Sequence, residues 1–146
     1  MIISDSDFLK KKSDKIDISE SASLIHKLEQ ELNISALHGA PGIGLAAPQI
    51  GVLKRVAIIR IPSTGYKNLY VNLVNPEIVQ KYDKAIFQNE GCLSFPGINK
   101  KTWRYQEIVV KNDIKPYLFI ATGLFAVCIQ HEIDHLDGII LPDLGI

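Results

Sequence analysis

Near the end of the chain, His131-Glu132-Ile133-Asp134-His135 sets two imidazoles four residues apart around a carboxylate. This pattern is useful for chemistry only on a helix. Residues four apart on an α-helix share one face, about 6 Å apart along the axis, so both rings can turn toward one cation. Glu132, roughly 100° further round, borders that face. Imidazole suits zinc and its neighbours, and a carboxylate held beside the metal rather than on it can take a proton from water there. The flanking residues support a helix over Gly123 to Leu136: Leu124, Val127, Cys128, His131 and His135 fall on one stripe, and Gly138 is placed to end it. A lone histidine is by default a satisfied surface or core side chain, and His26 and His38 are read that way.

A catalytic site of this kind needs a third protein ligand and one open position, and the two cysteines are the candidates. Cys128 shares the histidine stripe, but it lies about 10.5 Å along the axis from His135, too far for a short side chain, so it reads as a small buried apolar residue. Cys92 follows a strand-like run in Glu90-Gly91-Cys92-Leu93-Ser94, where an extended backbone can carry a thiolate across to the helix. Its alternative reading is a buried spectator. Gly42-Ile43-Gly44-Leu45-Ala46-Ala47-Pro48-Gln49 taken alone is weak evidence; it lacks the Lys-Ser/Thr of a phosphate loop. Gln49 could supply an amide donor to a developing oxyanion.

The rest of the chain suits a small catalytic domain. Its 146 residues predict one domain over 1–146. Sixteen Lys and Arg against sixteen Asp and Glu leave no basic excess, which disfavours nucleic acid and anionic membranes as partners. No apolar run approaches the ~18 residues of a membrane span, and the acidic start does not resemble a secretory signal. A cytoplasmic protein with free thiols is expected, since neither cysteine lies in a CxxC pair.

Asp17-Ile18-Ser19-Glu20 has capping-box form, and Ala22, Ile25, Leu28 and Leu32 recur at helical spacing, predicting a helix over about Ser19 to Leu37. His38 to Gly44 reads as a loop. Strands are predicted over Val52–Ile61, Leu69–Val74, Ala85–Gln88, Glu107–Lys111 and Tyr117–Ile120. The expected fold is α+β, with antiparallel strands packed around a C-terminal metal-binding helix and an N-terminal helix.

Together, GIGLAAPQ (Gly42 to Gln49), EGCLS (Glu90 to Ser94) and QHEIDH (Gln130 to His135) resemble the peptide deformylases, metallohydrolases that remove the N-formyl group from nascent polypeptides and release formate. The resemblance runs from about residue 5 to Leu141 and is diffuse outside these segments. It implies that Cys92, His131 and His135 hold one divalent metal, Fe2+ in the family's most active form, with Zn2+ or Ni2+ able to substitute. Glu132 would be the proton carrier. The Gln49 amide and the Leu93 backbone N–H would stabilise the oxyanion. The substrate would be an N-formyl-methionyl peptide. Ile43, Leu124, Val127, Cys128 and His131 would form the methionine pocket, and Gly42 to Gly44 would pair with the substrate backbone. Glu90 is grouped with this pocket and is expected to support it through hydrogen bonds rather than touch substrate. Only eight residues follow Gly138, so the C-terminal helix with which many bacterial members dock on the ribosome is expected to be missing, leaving a monomer with at most a transient ribosome contact. Some members contact substrate through a basic residue after EGCLS; Lys100, Lys101 and Arg104 lie nearby without a clear match. Two other readings stand beside this one. A zincin-type endopeptidase would take a third ligand downstream, where only Asp137 and Asp143 are available. A non-catalytic protein would use the metal only as a staple.

Overall fold

The computed structural model describes residues 1–62 and 69–146. A single turn, α1 (Ser6–Leu9), precedes the long helix α2 (Ile18–Leu37). Strands β1 (Gly44–Ala46), β2 (Val56–Ile61) and β3 (Leu69–Val74) form one antiparallel sheet in that order. A second antiparallel sheet is made of β4 (Glu77–Glu90), β5 (Lys100–Lys111) and β6 (Leu118–Thr122), also in chain order. Helix α3 (Gly123–Leu136) follows, then a 3-10 turn at Leu141–Asp143. The class is α+β, as expected from strands bracketed by helices.

The core explains where the last helix sits. Along β2, Val56 and Ile58 pack with Leu24, Ile25, Leu28 and Leu32 of α2, while Ala57, Ile59 and Ile61 pack with Ala126, Cys128, Ile129 and Ile133 of α3. A strand covered on both faces reads as a continuous apolar run, as Val56 to Ile59 do here. Ile108 and Val110 of β5 and Ala121 of β6 join the α3 cluster, so α3 is enclosed between the two sheets. Each Val, Leu or Ile among them contributes about 1.5–3 kcal/mol by burial, and the helix is thereby held against rotation.

Several boundaries differ from expectation. Asp17 does cap α2, its carboxylate accepting from the Ser19 N–H at 3.0 Å. The buried stripe, however, runs through Ser21, Leu24, Ile25, Leu28 and Leu32, and Ala22 faces solvent. The expected loop from His38 ends inside a strand, because Gly44 already pairs with Ile59. Strand β2 starts at Val56 rather than Val52, since Arg55 N–H bonds out to the Asp14 carbonyl. The short predicted strands at Ala85–Gln88 and Glu107–Lys111 are the apolar parts of two much longer ones. The first half of β4 is mostly polar and exposed, and in the first half of β5 the inward positions are Thr102 and Arg104. Neither stretch carries the alternation that marks a half-buried strand. The last strand runs two residues further than predicted, to Thr122, and α1 had no periodicity from which to be read.

Candidate active site

Helix α3 ends in a tightly specified turn. Gly138 has φ +76, and a β-carbon there would strike the Lys10 carbonyl oxygen, so only glycine fits. The Leu136 carbonyl accepts from the Ser13 N–H at 2.9 Å and from Arg55 Nη1 at 2.8 Å, while Arg55 Nη2 pairs with Asp137 Oδ1 at 2.8 Å. These bonds satisfy a carbonyl that the helix itself leaves unpaired and anchor the turn that carries His135.

Cys92 reaches the helix from a turn closed by the Phe95 N–H to the Cys92 carbonyl, 3.1 Å. Phe95, Leu9 and Ile140 bury themselves around it. Cys92 Sγ lies 3.3 Å from His135 Nε2, and one donor atom each from Cys92, His131 and His135 fall within 4.8 Å of one another. The two rings meet edge to face, centroids 4.9 Å apart. The donor chemistry fits a divalent ion. His131 Nδ1 is bonded to Glu90 Oε1 at 2.8 Å, leaving Nε2 for a metal, the arrangement in which a carboxylate orients a ligating imidazole. Burial, with the His131 and Arg104 charges, pulls His135 down to about 3, so that ring is neutral and free to ligate. Burial also pulls His131 down, but the Glu132 charge and the contacts with Cys92 and Glu90 outweigh it and hold the ring well above its usual value. Metal binding exchanges such a proton for the cation. Asp137 and Asp143 are paired with Arg55 and Lys10 and lie outside this group, so the downstream third ligand of the endopeptidase reading is not supplied.

A buried charge network backs His131. Arg104 pairs with Glu90 through Nη2 and Nε, the latter at 2.9 Å, and Arg104 Nη1 pairs with Asp134 Oδ2 at 2.6 Å. Thr102 Oγ1 donates to Glu90 Oε2 at 2.6 Å. Burial pushes the Glu90 carboxyl up, but the bonds from His131, Arg104 and Thr102 and the Arg104 charge bring it down to about 2. Arg104, 7% exposed, is therefore committed to the interior.

Glu132 is buried, and its Oε1 has no hydrogen-bond partner among the described residues. Burial pushes its carboxyl up to about 7 against the pull of the His131 charge. It opens on a cavity of about 460 Å³ whose wall includes Gly42, Ile43, Gly44, Gln49, Glu90, Cys92, Leu93, Leu124, Val127, Cys128 and His131. Of the candidate residues only His135 is off the wall, 1% exposed behind Cys92. Cys128 is buried at the wall, and burial lifts its thiol to about 12. Both cysteines are free thiols. Among the described residues no strand pairs with the outer edge of β1, which leaves the backbone beside Gly44 to an added strand. His26 and His38 are exposed and do not approach the site.

Sequence reasoning missed the Arg104, Thr102 and Asp134 network, and the cavity's outer wall of Phe87, Asn89, Ile98 and Asn99. Lys100 and Lys101 are not on that wall, and Arg104 is buried, so none of the three basic residues near EGCLS lines the cleft. The one available signal was the spacing of Thr102 and Arg104, two polar residues on one face that both bond Glu90.

Comparison with known proteins is consistent throughout. The polypeptide deformylase family model matches residues 1–144. A peptide deformylase of Thermodesulfovibrio yellowstonii is 42% identical over 138 residues, covering 92% of this chain and 81% of that protein. A probable peptide deformylase from Synechococcus phage S-SSM7 superposes with TM-score 0.85 at 34% identity, covering 99% of this chain and 98% of that one. A Met-Ala-Ser-bound class I type b peptide deformylase from Acinetobacter baumannii gives TM-score 0.81 at 28% identity, covering 99% and 96%.

Proposed function

The chain belongs to the peptide deformylase family, and we propose on that footing that it is the hydrolase that removes the formyl group from N-formyl-methionyl peptides, releasing formate. The convergence of Cys92, His131 and His135 beside an unpartnered buried Glu132 carries this reading. A divalent ion held by those three residues, Fe2+ by preference with Zn2+ or Ni2+ able to replace it, would supply Lewis acidity toward a water and the formyl oxygen.

The chain's own residues supply the rest. Glu132, with a carboxyl near neutrality, accepts the proton of the attacking water and returns it to the departing amine. The Gln49 side-chain amide and the Leu93 N–H donate to the oxygen that becomes negative. Glu90, oriented by Arg104, keeps the His131 ring in register. The apolar recess of Ile43, Leu124, Val127 and Cys128 receives the methionine side chain. The β1 edge at Gly42 to Gly44 hydrogen-bonds the substrate backbone as an added strand, and the Acinetobacter baumannii relative, which binds Met-Ala-Ser, supports a peptide occupant. Residues 1–146 act as one catalytic domain, as a cytoplasmic monomer with a transient ribosome contact. No helix among the described residues is long and apolar enough to cross a membrane.

The direct test is formate release from formyl-Met-Ala-Ser by iron-loaded protein under anaerobic conditions. Turnover is expected; its absence in fully loaded protein overturns the reading.

A further inference from the structure

The two proposed oxyanion donors come from different parts of the chain: Gln49 from the 3-10 turn Ala47–Ile50, and Leu93 from the turn after Cys92. Their spacing must be set by something. Gln49 is 2% exposed, and its Oε1 accepts from the Ala46 N–H at 2.9 Å. Its Nε2 donates to Ser94 Oγ at 3.0 Å and to Cys92 Sγ at 3.6 Å. Rotating the amide by half a turn would set its NH2 against the Ala46 N–H, donor against donor, so the two contacts define one orientation. Ser94 is completely buried and covalently adjacent to Leu93.

Resting on the deformylase reading, we propose that Ser94 is a positioning residue of the reaction. Its hydroxyl accepts one N–H of Gln49 Nε2, so that the other, which meets Cys92 Sγ at 3.6 Å, is the one that turns to the oxyanion, and it ties the Gln49 amide to the turn that carries both Cys92 and the Leu93 N–H. Donors aimed before the reaction act without reorganisation, which is where such groups derive most of their effect. Without the hydroxyl the amide keeps its Ala46 anchor and the long contact to Cys92 Sγ, and samples other rotamers more freely.

The test compares wild type, Ser94→Ala, Gln49→Leu and the double variant in steady-state formate release. Ser94→Ala is expected to lower kcat about tenfold with KM changed less than about twofold, the signature of an interaction made in the transition state. The double variant should be no slower than Gln49→Leu alone, because a residue acting through another has no effect once that other is gone. A wild-type kcat in Ser94→Ala overturns the proposal, as does an equal slowing in the Gln49→Leu background. A second readout needs no turnover. In the diamagnetic zinc form, the Gln49 side-chain NH2 protons should exchange with solvent faster in Ser94→Ala than in wild type, and Ser94→Thr should restore protection. Unchanged exchange in Ser94→Ala overturns the proposal even if no variant, wild type included, releases formate. That last outcome would overturn the deformylase reading separately.

Discussion

The Glu132 carboxylate occupies the space beside Gly44 that a side chain would need: a β-carbon at residue 44 would lie 2.5 Å from Glu132 Oε2, with the Ile58 carbonyl at 3.2 Å on another side. The glycine-rich segment is thus shaped by the carboxylate proposed as proton carrier as well as by the edge proposed for substrate. Gly44→Ala should displace Glu132 and cut kcat about 10²-fold, within the range for losing general-base chemistry. Metal content should stay the same, because none of the three ligands moves. Steady-state kinetics alongside metal analysis checks this; a full-rate variant would show that the carboxylate tolerates a second position.

Glu132 itself lies beside the ligand atoms without being one of the cluster. Glu132→Ala should therefore bind metal as wild type does and lose about 10²–10⁴ in turnover. A purely structural metal site predicts that Glu132→Ala matches wild type in every assay, neither protein releasing formate.

The cysteines should separate cleanly. Cys92→Ser removes the sulfur proposed as a metal ligand, 3.3 Å from His135 Nε2, and dialysed protein should lose most of its metal. Cys128→Ser places a hydroxyl at a buried wall position and should keep its metal while losing about 1–3 kcal/mol of stability in urea, the cost of an unsatisfied buried polar group. The reverse pattern of metal loss would overturn the ligand assignment.

Breaking the network behind His131 should be costly. Arg104→Met leaves Glu90 and Asp134 without their common cation in the interior, and about 3–5 kcal/mol of stability should be lost. Chemical denaturation measures it. A loss under about 1 kcal/mol, the scale of an exposed pair, would mean that solvent reaches the network.

The same carboxylate sets an acid limb. Glu90 sits at about 2 when folded, against an ordinary value of 4.5. Its contribution to the stability of the metal-free chain is therefore complete above about pH 4.5 and disappears as the pH falls toward 2. His131, held above its usual value, stays protonated throughout that window and adds no slope there, whereas His135, at about 3 when folded, adds a fall of its own to wild type and variant alike. Denaturation midpoints across this range should fall for wild type and fall less for Glu90→Gln; parallel curves would assign the limb to other groups, His135 among them.

Much of this is legible in the chain alone. Helical spacing determined that His131 and His135 share a face and that Cys128 is too far along the axis to join them, because helix geometry is local and regular. The apolar run of β2 and the stripe of α2 were equally readable, since burial on a defined face writes a period into the residues. Long-range placement was different. That Cys92 meets the histidines, that Gln49 reaches Ser94, and that Arg104 turns inward to Glu90 and Asp134 depend on how two sheets close around α3, and none leaves a periodic trace in the chain. The polar halves of β4 and β5 stayed hidden for a related reason: their positions are set by pairing with each other and by a buried ion network, forces that select partners across space rather than a pattern along the sequence.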